Sequence, residues 1–536
     1  MKYLLKNTKI VSTFGPSITF DLDLTTGTAP EELKNKVQCV VRDVISAGVN
    51  CVRYNFSHGQ VAENTTRTMA IFNVQKEFIS KQEGSSRRYL RSVVLLADTK
   101  GPEIRVFDMG KDGVSYNRDQ EIIVSCIEQK TGSSEGFSVF DATGTYNMAN
   151  DCVVGNLILV EDGKLTLEIL EVDKERGFVK AKVKNTYLLK RNKRINLPGA
   201  DYSMNFLSDK DTNDIKYAID NGFEFVALSF ANSRDDVMQV RNLIESYCKE
   251  KQIPNIMKVY SKIETLKACK NLDEIIDSSD GIMIARGDLG LEIPYYEVPY
   301  WTQQIIKKCR KLQKPAITAT QMLDSLERNV VATRAEVSDV YRAAEMGSDC
   351  TMLSGETAQG QFPVLAVETM TNIVYESEKY FNSAKFEKLF YDEIFDSLDS
   401  GVKSQFEDFK KALSSVGGIQ AIAMKGKSFS IKFLKALSAL RMKINVFVFQ
   451  IVENIEVCCG DPDWKNEDYL NAKVLSDLAL YRGIDLVFVD GKTDSKSSCD
   501  MLKEYLSFYG KDCKYQSDVK TVLYFDEDEG KWRLSN

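Results

Sequence analysis

The chain has a single histidine, His58, among 536 residues, so a zinc site built from several imidazoles is excluded. Its twelve cysteines are scattered and no two stand in a CxxC pair, which leaves neither a disulfide framework nor a paired-thiol motif. Reduced thiols in a cytoplasmic protein are the expectation. No run of about 18 apolar residues offers a membrane span. The start, MKYLLKNTKI, passes directly into a strand-like segment without the apolar stretch of a secretory signal. Positive charge is not in excess either. The net charge of −7 argues against nucleic acid or an acidic membrane as partner. What remains is 43% hydrophobic and 27% charged residues, ordinary for a soluble enzyme, in a chain that calls for about two to four domains.

What is present is a rhythm. Short runs rich in Val, Ile, Leu and Ala recur as KIVSTFG (9–15), VNCVRYNFS (49–57), VVLLADTKG (93–101), FEFVALSF (223–230), MKVYSKIE (257–264), DGIMIARGD (280–288), PAITAT (315–320) and CTMLSGET (350–357). Between most of them lie segments with apolar residues at three- and four-residue spacing, such as KDTNDIKYAIDNG and TRAEVSDVYRAAEMG. Strand and helix alternating eight times predict an α/β fold, a parallel (β/α)8 TIM barrel with its chemistry at the carboxyl ends of the strands. Polar residues gather at those ends: Asn55 and Ser57, Asp98 and Thr99, Lys262 and Glu264, Arg286 and Asp288, Thr320, Ser354 and Glu356. One lysine with two carboxylates, Glu264 and Asp288, suits a divalent metal holding an anionic substrate; a rim salt bridge is the plainer alternative for Lys262 and Glu264.

About 120 residues separate DTKG from FVALSF and break this rhythm. There EIIVSC, VVGNLILVEDGKLTLEILEV and FVKAKVKN alternate apolar and polar at period two, with a hairpin signal at Glu161-Asp162-Gly163. A small β-barrel domain is therefore expected at 108–200, inserted between barrel segments 1–107 and 201–375. Strand-like IQAIAM, INVFVFQI and IDLVFVDG then predict a C-terminal α/β domain at 376–536. Thr333 and Glu336 form the pattern of a helix capping box. MKGKS at 424–428 lacks the earlier glycine of a P-loop.

The runs TKIVSTFGPS, RYNFSHG, DTKGPEIR, INLPG, SKIE, DGIMIARGDLGLEIP, KPAITATQMLDS, TRAEVSDV and MLSGETAQG, in this order, resemble the pyruvate kinase family over residues 8 to 366. The resemblance implies phosphoryl transfer from phosphoenolpyruvate to ADP in glycolysis. It assigns magnesium (or manganese) to Glu264 and Asp288, Lys262 and Arg53 to the phosphoryl group, and the substrate carboxylate to Gly287, Asp288 and Thr320. It assigns potassium to Asn55, Ser57, Asp98 and Thr99, with Glu103 as the residue that makes the ion necessary, and nucleotide contacts to Asn55, His58, Arg105 and Lys193. Thr320, Ser354 and Glu356 stand where a proton relay to the enolate runs, with the donor among them open. A homotetramer is implied. The chain departs from the family at Ala423–Ser428 and at DEDEG, where effector-binding loops usually lie, so activation by fructose 1,6-bisphosphate is expected to be weak or absent. Arg194 replaces a common glycine before INLPG, and an extra loop lies near 18–32. A different metal-dependent barrel enzyme acting on enolates, or a silent protein that kept the fold, are the competing readings.

Overall fold

The computed structural model describes residues 6–21, 30–57, 61–82, 87–141, 144–415, 418–491, 497–509, 519 and 521–535. His58 and part of the extra loop near 18–32 lie outside them.

The eight apolar runs are the eight strands of a closed parallel barrel: Lys9–Thr13, Cys51–Asn55, Val94–Asp98, Phe225–Leu228, Lys258–Ile263, Gly281–Ala285, Ala316–Ala319 and Cys350–Leu353, each paired with its sequential neighbour and the last with the first. Nearly all these residues are buried, because the strands are covered by helices outside and fill the barrel inside. The interior is packed with side chains such as Val11, Leu96, Phe225, Tyr260, Met283 and Met352. Helices following the strands start on side-chain caps. Ser208, Ser233 and Thr265 accept amide hydrogens three residues on, and Thr333 and Glu336 cap reciprocally as a capping box.

The alternating stretch forms a second, seven-stranded closed barrel of Ile104–Val106, Glu121–Ser125, Gly136–Asp141, Leu157–Val160, Leu165–Asp173, Phe178–Val183 and Arg194–Asn196. Its alternation buries one face around a core of its own. The hairpin joining Leu157–Val160 to Leu165–Asp173 turns through Glu161, Asp162 and Gly163, all with positive φ (50°, 56° and 80°). Gly163 bears that conformation without cost, and Asp162 tolerates it better than most residues.

A six-stranded sheet follows in the order Lys531–Ser535, Val522–Asp526, Ala421–Lys425, Asn445–Val452, Ile484–Asp490, Tyr89–Arg91. Its last strand differs from expectation. Tyr89–Arg91 lies within the stretch read as barrel, yet it pairs antiparallel with Ile484–Asp490, Arg91 opposite Val487. Three residues are too short for a periodic signal, and their partner is nearly 400 residues away in the chain.

The large barrel and the C-terminal sheet meet through buried charge. Arg441 donates to Asp349 at 2.7 Å and to the Gly347 carbonyl at 3.1 Å, while the second oxygen of Asp349 accepts the Arg482 amide at 3.1 Å. Lys9, in the first barrel strand, pairs with Asp485 at 2.8 Å. Removing one partner leaves the other charge buried and uncompensated, which costs about 3–5 kcal/mol. Asp349→Ala is therefore expected to lower the unfolding midpoint by about 3–4 °C in a thermal scan, with Asp349→Asn falling between it and the parent.

Candidate active site

Strand geometry brings the predicted polar residues to one end of the large barrel. The register sets Asn55 opposite Asp98, Ala227 opposite Tyr260 and Lys262 opposite Met283, so the carboxyl ends of neighbouring strands open on a common mouth. Asp98 is its centre. One of its oxygens accepts Arg53 Nε at 2.6 Å; the other lies 3.2 Å from Lys262 Nζ and accepts Ser229 Oγ at 3.3 Å. Lys262 also pairs with Glu264 at 3.0 Å and donates to Ser229 Oγ at 2.8 Å. Glu264 accepts the Phe230 amide at 2.6 Å and is in hydrogen-bond contact with Asp288, which pairs with Arg194 at 2.6 Å.

Asp98 and Glu264 are buried, Lys262 and Arg53 nearly so, and Asp288 and Arg194 are about one-fifth exposed, and their electrostatics follow from that. Burial disfavours the ammonium of Lys262, but Asp98 and Glu264 outweigh it and raise its pKa, keeping it charged. Burial pushes Glu264 up to about 7, with Lys262 opposing and Asp288 reinforcing. Burial also opposes the charged form of Asp288, yet Arg194 and Lys262 prevail and hold it below the usual carboxylate range. The outcome is two touching carboxylates whose environments drive them apart, facing three cationic side chains.

That donor set fits magnesium, a hard cation that takes one or two carboxylates and completes its octahedron with water and substrate oxygens. Among the described residues no group of three or more His, Cys, Asp or Glu side chains could hold a metal unaided. An all-oxygen set of Asn55, Ser57, Asp98 and the Thr99 carbonyl likewise suits a hard monovalent ion. Asn55 Oδ1 accepts the Ser57 amide at 3.1 Å, and the Thr99 carbonyl accepts Ser229 Oγ at 2.7 Å. Glu103 is buried and pairs with Arg105 at 2.8 Å and Lys100 at 4.0 Å.

The Arg286-Gly287-Asp288 turn opens the short helix Arg286–Glu292. Its Gly287 amide donates to Thr320 Oγ1 at 2.7 Å, while Arg286 reaches the Thr320 carbonyl at 2.8 Å and Asp339 at 2.7 Å. Thr320 and Gln321 have positive φ (66° and 53°), as does Phe230 (59°). Such strained backbone at non-glycine residues is held only where surrounding contacts enforce it, and here it rims the mouth. Glu356 spends both oxygens on backbone amides, of Leu323 at 3.0 Å and Ser354 at 2.7 Å, so it positions the loop that carries Ser354. Ser354 Oγ is buried without a hydrogen-bond partner among the described residues.

Arg105 and Lys193 belong to the small barrel, on adjacent segments joined by the bond from the Val106 amide to the Lys193 carbonyl at 2.8 Å. Arg105 also donates to the Asn192 carbonyl at 2.9 Å, and Lys193 pairs with Glu161 at 2.8 Å. Neither is bonded to the Asp98 network, and His58 lies outside the described residues. Two residues of the network escaped the sequence reading. Ser229, which ties Asp98, Thr99 and Lys262 together, sits at the carboxyl end of FVAL, the same positional signal that marked its neighbours. Thr13 receives Arg53 Nη1 at 2.9 Å from the end of the first strand.

Comparison with known proteins agrees with this geometry. The family model described as pyruvate kinase, barrel domain, matches residues 5–367. Pyruvate kinase from Mycoplasma genitalium is 43% identical over 381 residues, 70% of this chain and 72% of that protein. That from Mycoplasma pneumoniae is 43% identical over 385 residues, 71% and 73% of the two chains. Among solved structures, a pyruvate kinase from Cryptosporidium parvum superimposes with a TM-score of 0.78 at 25% identity, covering 99% of this chain and 96% of that one. Pyruvate kinase of the same organism in complex with ADP gives 0.77 at 25% identity, covering 99% and 95%. On the matched barrel, the order of its strands and these relatives, the chain belongs to the pyruvate kinase family and is a phosphotransferase.

Proposed function

We propose that this chain transfers the phosphoryl group of phosphoenolpyruvate to ADP, yielding ATP and pyruvate, with magnesium at Glu264 and Asp288 and potassium at Asn55, Ser57, Asp98 and Thr99. The observation that carries it is the convergence of Arg53 and Lys262 on Asp98, beside the Glu264–Asp288 pair. Phosphoryl transfer asks for positioning and charge neutralisation rather than covalent chemistry, and this mouth supplies both. Magnesium, when bound, would neutralise phosphoryl and enolate oxygens. Lys262 and Arg53 present positive charge to the phosphoryl group. A charge pair at 4 Å is worth about 1 kcal/mol in water and roughly four times that at an effective dielectric of 20, so exclusion of water strengthens both.

Gly287, Asp288 and Thr320 form the seat for the substrate carboxylate. The Thr320 hydroxyl, already held by the Gly287 amide, turns to the anion. Ser354, positioned by Glu356, and Thr320 line the water route by which the enolate acquires its proton. Arg105, Lys193, Asn55 and His58 receive the nucleotide, and the small barrel, whose strands run from Ile104–Val106 to Arg194–Asn196, closes over the large one to shut out water. Exposed Tyr295, Tyr296, Tyr300, Val330 and Val331 favour contacts between copies, supporting a homotetramer. Position 103 carries a carboxylate rather than an ammonium, which favours potassium dependence.

The C-terminal region, 376–536, supports weak or absent response to fructose 1,6-bisphosphate. Lys425, at the end of its strand, is paired with Glu527 of the DEDEG turn at 3.2 Å, and Ser428 Oγ bonds the same carboxylate at 3.2 Å. An incoming phosphate would have to displace that anion and withstand its neighbours.

ATP formation from phosphoenolpyruvate and ADP with magnesium is expected in potassium and strongly reduced in a bulky organic cation at equal ionic strength; no activity from folded protein in either would overturn the assignment. Lys262→Met is expected to lower kcat by on the order of 10²- to 10³-fold, measured on the folded fraction. Adding fructose 1,6-bisphosphate is expected to leave the half-saturating phosphoenolpyruvate concentration unchanged, and a clear fall would refute that part.

A further inference from the structure

Arg194 belongs to the small barrel, yet its guanidinium lies in the mouth of the large one. Its strand, Arg194–Asn196, is held between Ile104–Val106 and Leu157–Val160, and its carbonyl accepts the Glu161 amide at 2.9 Å. From that fixed root the side chain crosses to Asp288, with Nη1 2.6 Å from Oδ1, and the guanidinium carbon lies 4.9 Å from the centre of the Phe230 ring. Its Nη2 is buried without a hydrogen-bond partner among the described residues. The side chain is thus placed by an aromatic face and one carboxylate, with donor capacity unspent.

Charge counting gives this contact its meaning. Glu264 and Asp288, when both ionised, carry two negative charges in a desolvated space. Lys262 offsets one and Arg194 the other. A divalent cation arriving alone at this pair would enter a site already compensated, and Arg194 occupies the same carboxylate it would use. A cation arriving with a highly charged phosphate anion meets no such obstacle, because the anion gives the released guanidinium a new partner.

We propose that Arg194 is an internal counter-cation that competes with the divalent metal for Asp288, so that metal binds this chain weakly on its own and tightly only together with the anionic substrate. This rests on the proposal that Glu264 and Asp288 are the metal ligands. The same contact joins the small barrel to the large one. A planar guanidinium lying over an aromatic ring is not reproduced by lysine, which places Arg194→Lys between the parent and the neutral variants.

The test is manganese binding to the full-length enzyme without phosphoenolpyruvate, read by the paramagnetic resonance signal of free Mn²⁺, for the parent, Arg194→Gly, Arg194→Gln, Arg194→Lys and Arg194→Gln combined with Asp288→Asn. Arg194→Gly and Arg194→Gln are expected to bind Mn²⁺ roughly ten-fold or more tightly than the parent, and to lose most of the enhancement that phosphoenolpyruvate gives the parent. Arg194→Gln removes the charge while keeping much of the side chain, so it serves if the glycine variant fails to fold. Equal or weaker affinity in folded neutral variants overturns the proposal. Tight binding in Arg194→Gln that survives the added Asp288→Asn substitution overturns the metal assignment beneath it, and the proposal with it.

Discussion

Everything at the mouth of the large barrel depends on how Asp98 is kept ionised away from water. A lone buried carboxylate would take up a proton; this one stays charged because Arg53 approaches from the adjacent strand and Lys262 from the second strand on the other side, while Ser229 supplies a hydroxyl. Burial resists its charged form, and the two cations overcome that resistance and lower its pKa. The compensation runs both ways. Lys262 remains an ammonium in a buried place because Asp98, Glu264 and Asp288 surround it. Remove any member and the others lose the reason for their state, which ties the charge at the mouth to the stability of the strands that carry it.

The two barrels contribute differently to this arrangement. The large one offers rigid strand ends, and its loops add strain where Phe230, Thr320 and Gln321 take left-handed backbone. Strain of that kind fixes side chains that a relaxed loop would let wander. The small barrel has a separate hydrophobic core and contributes few side chains to the mouth, chiefly Arg194. A body with its own core can move as a unit, which is what a lid over a phosphoryl-transfer site must do.

Much of this was legible in the chain. Each barrel strand was marked by an apolar run ending in a polar residue, because a strand buried on both faces must be apolar until it reaches the rim. The alternation of the inserted segment announced one wet and one dry face, and hence a separate barrel. The mouth residues Asp98, Lys262, Glu264 and Asp288 followed from position. What sequence could not give were contacts made by direction rather than by place. Arg194 was visible only as a departure from a glycine, since nothing local says that its guanidinium crosses to Asp288. Glu356 read as a candidate for proton transfer from its position, while its bonds to two amides reveal the work of holding a loop. Tyr89–Arg91 was hidden because a strand of three residues owes its state to its partner.

That short strand links the biogenesis of distant regions. Tyr89–Arg91 leaves the ribosome with the first quarter of the chain, whereas the strand it borders, Ile484–Asp490, is made near the end. Through most of synthesis, the segment has no sheet to join. A C-terminal fragment made without the barrel would in turn present Ile484–Asp490 as a bare, apolar edge, the kind of surface along which chains associate with one another. The C-terminal sheet is therefore an assembly of the whole chain rather than a module that travels freely. Recombining it between relatives would require the residues that precede the third barrel strand to travel with it.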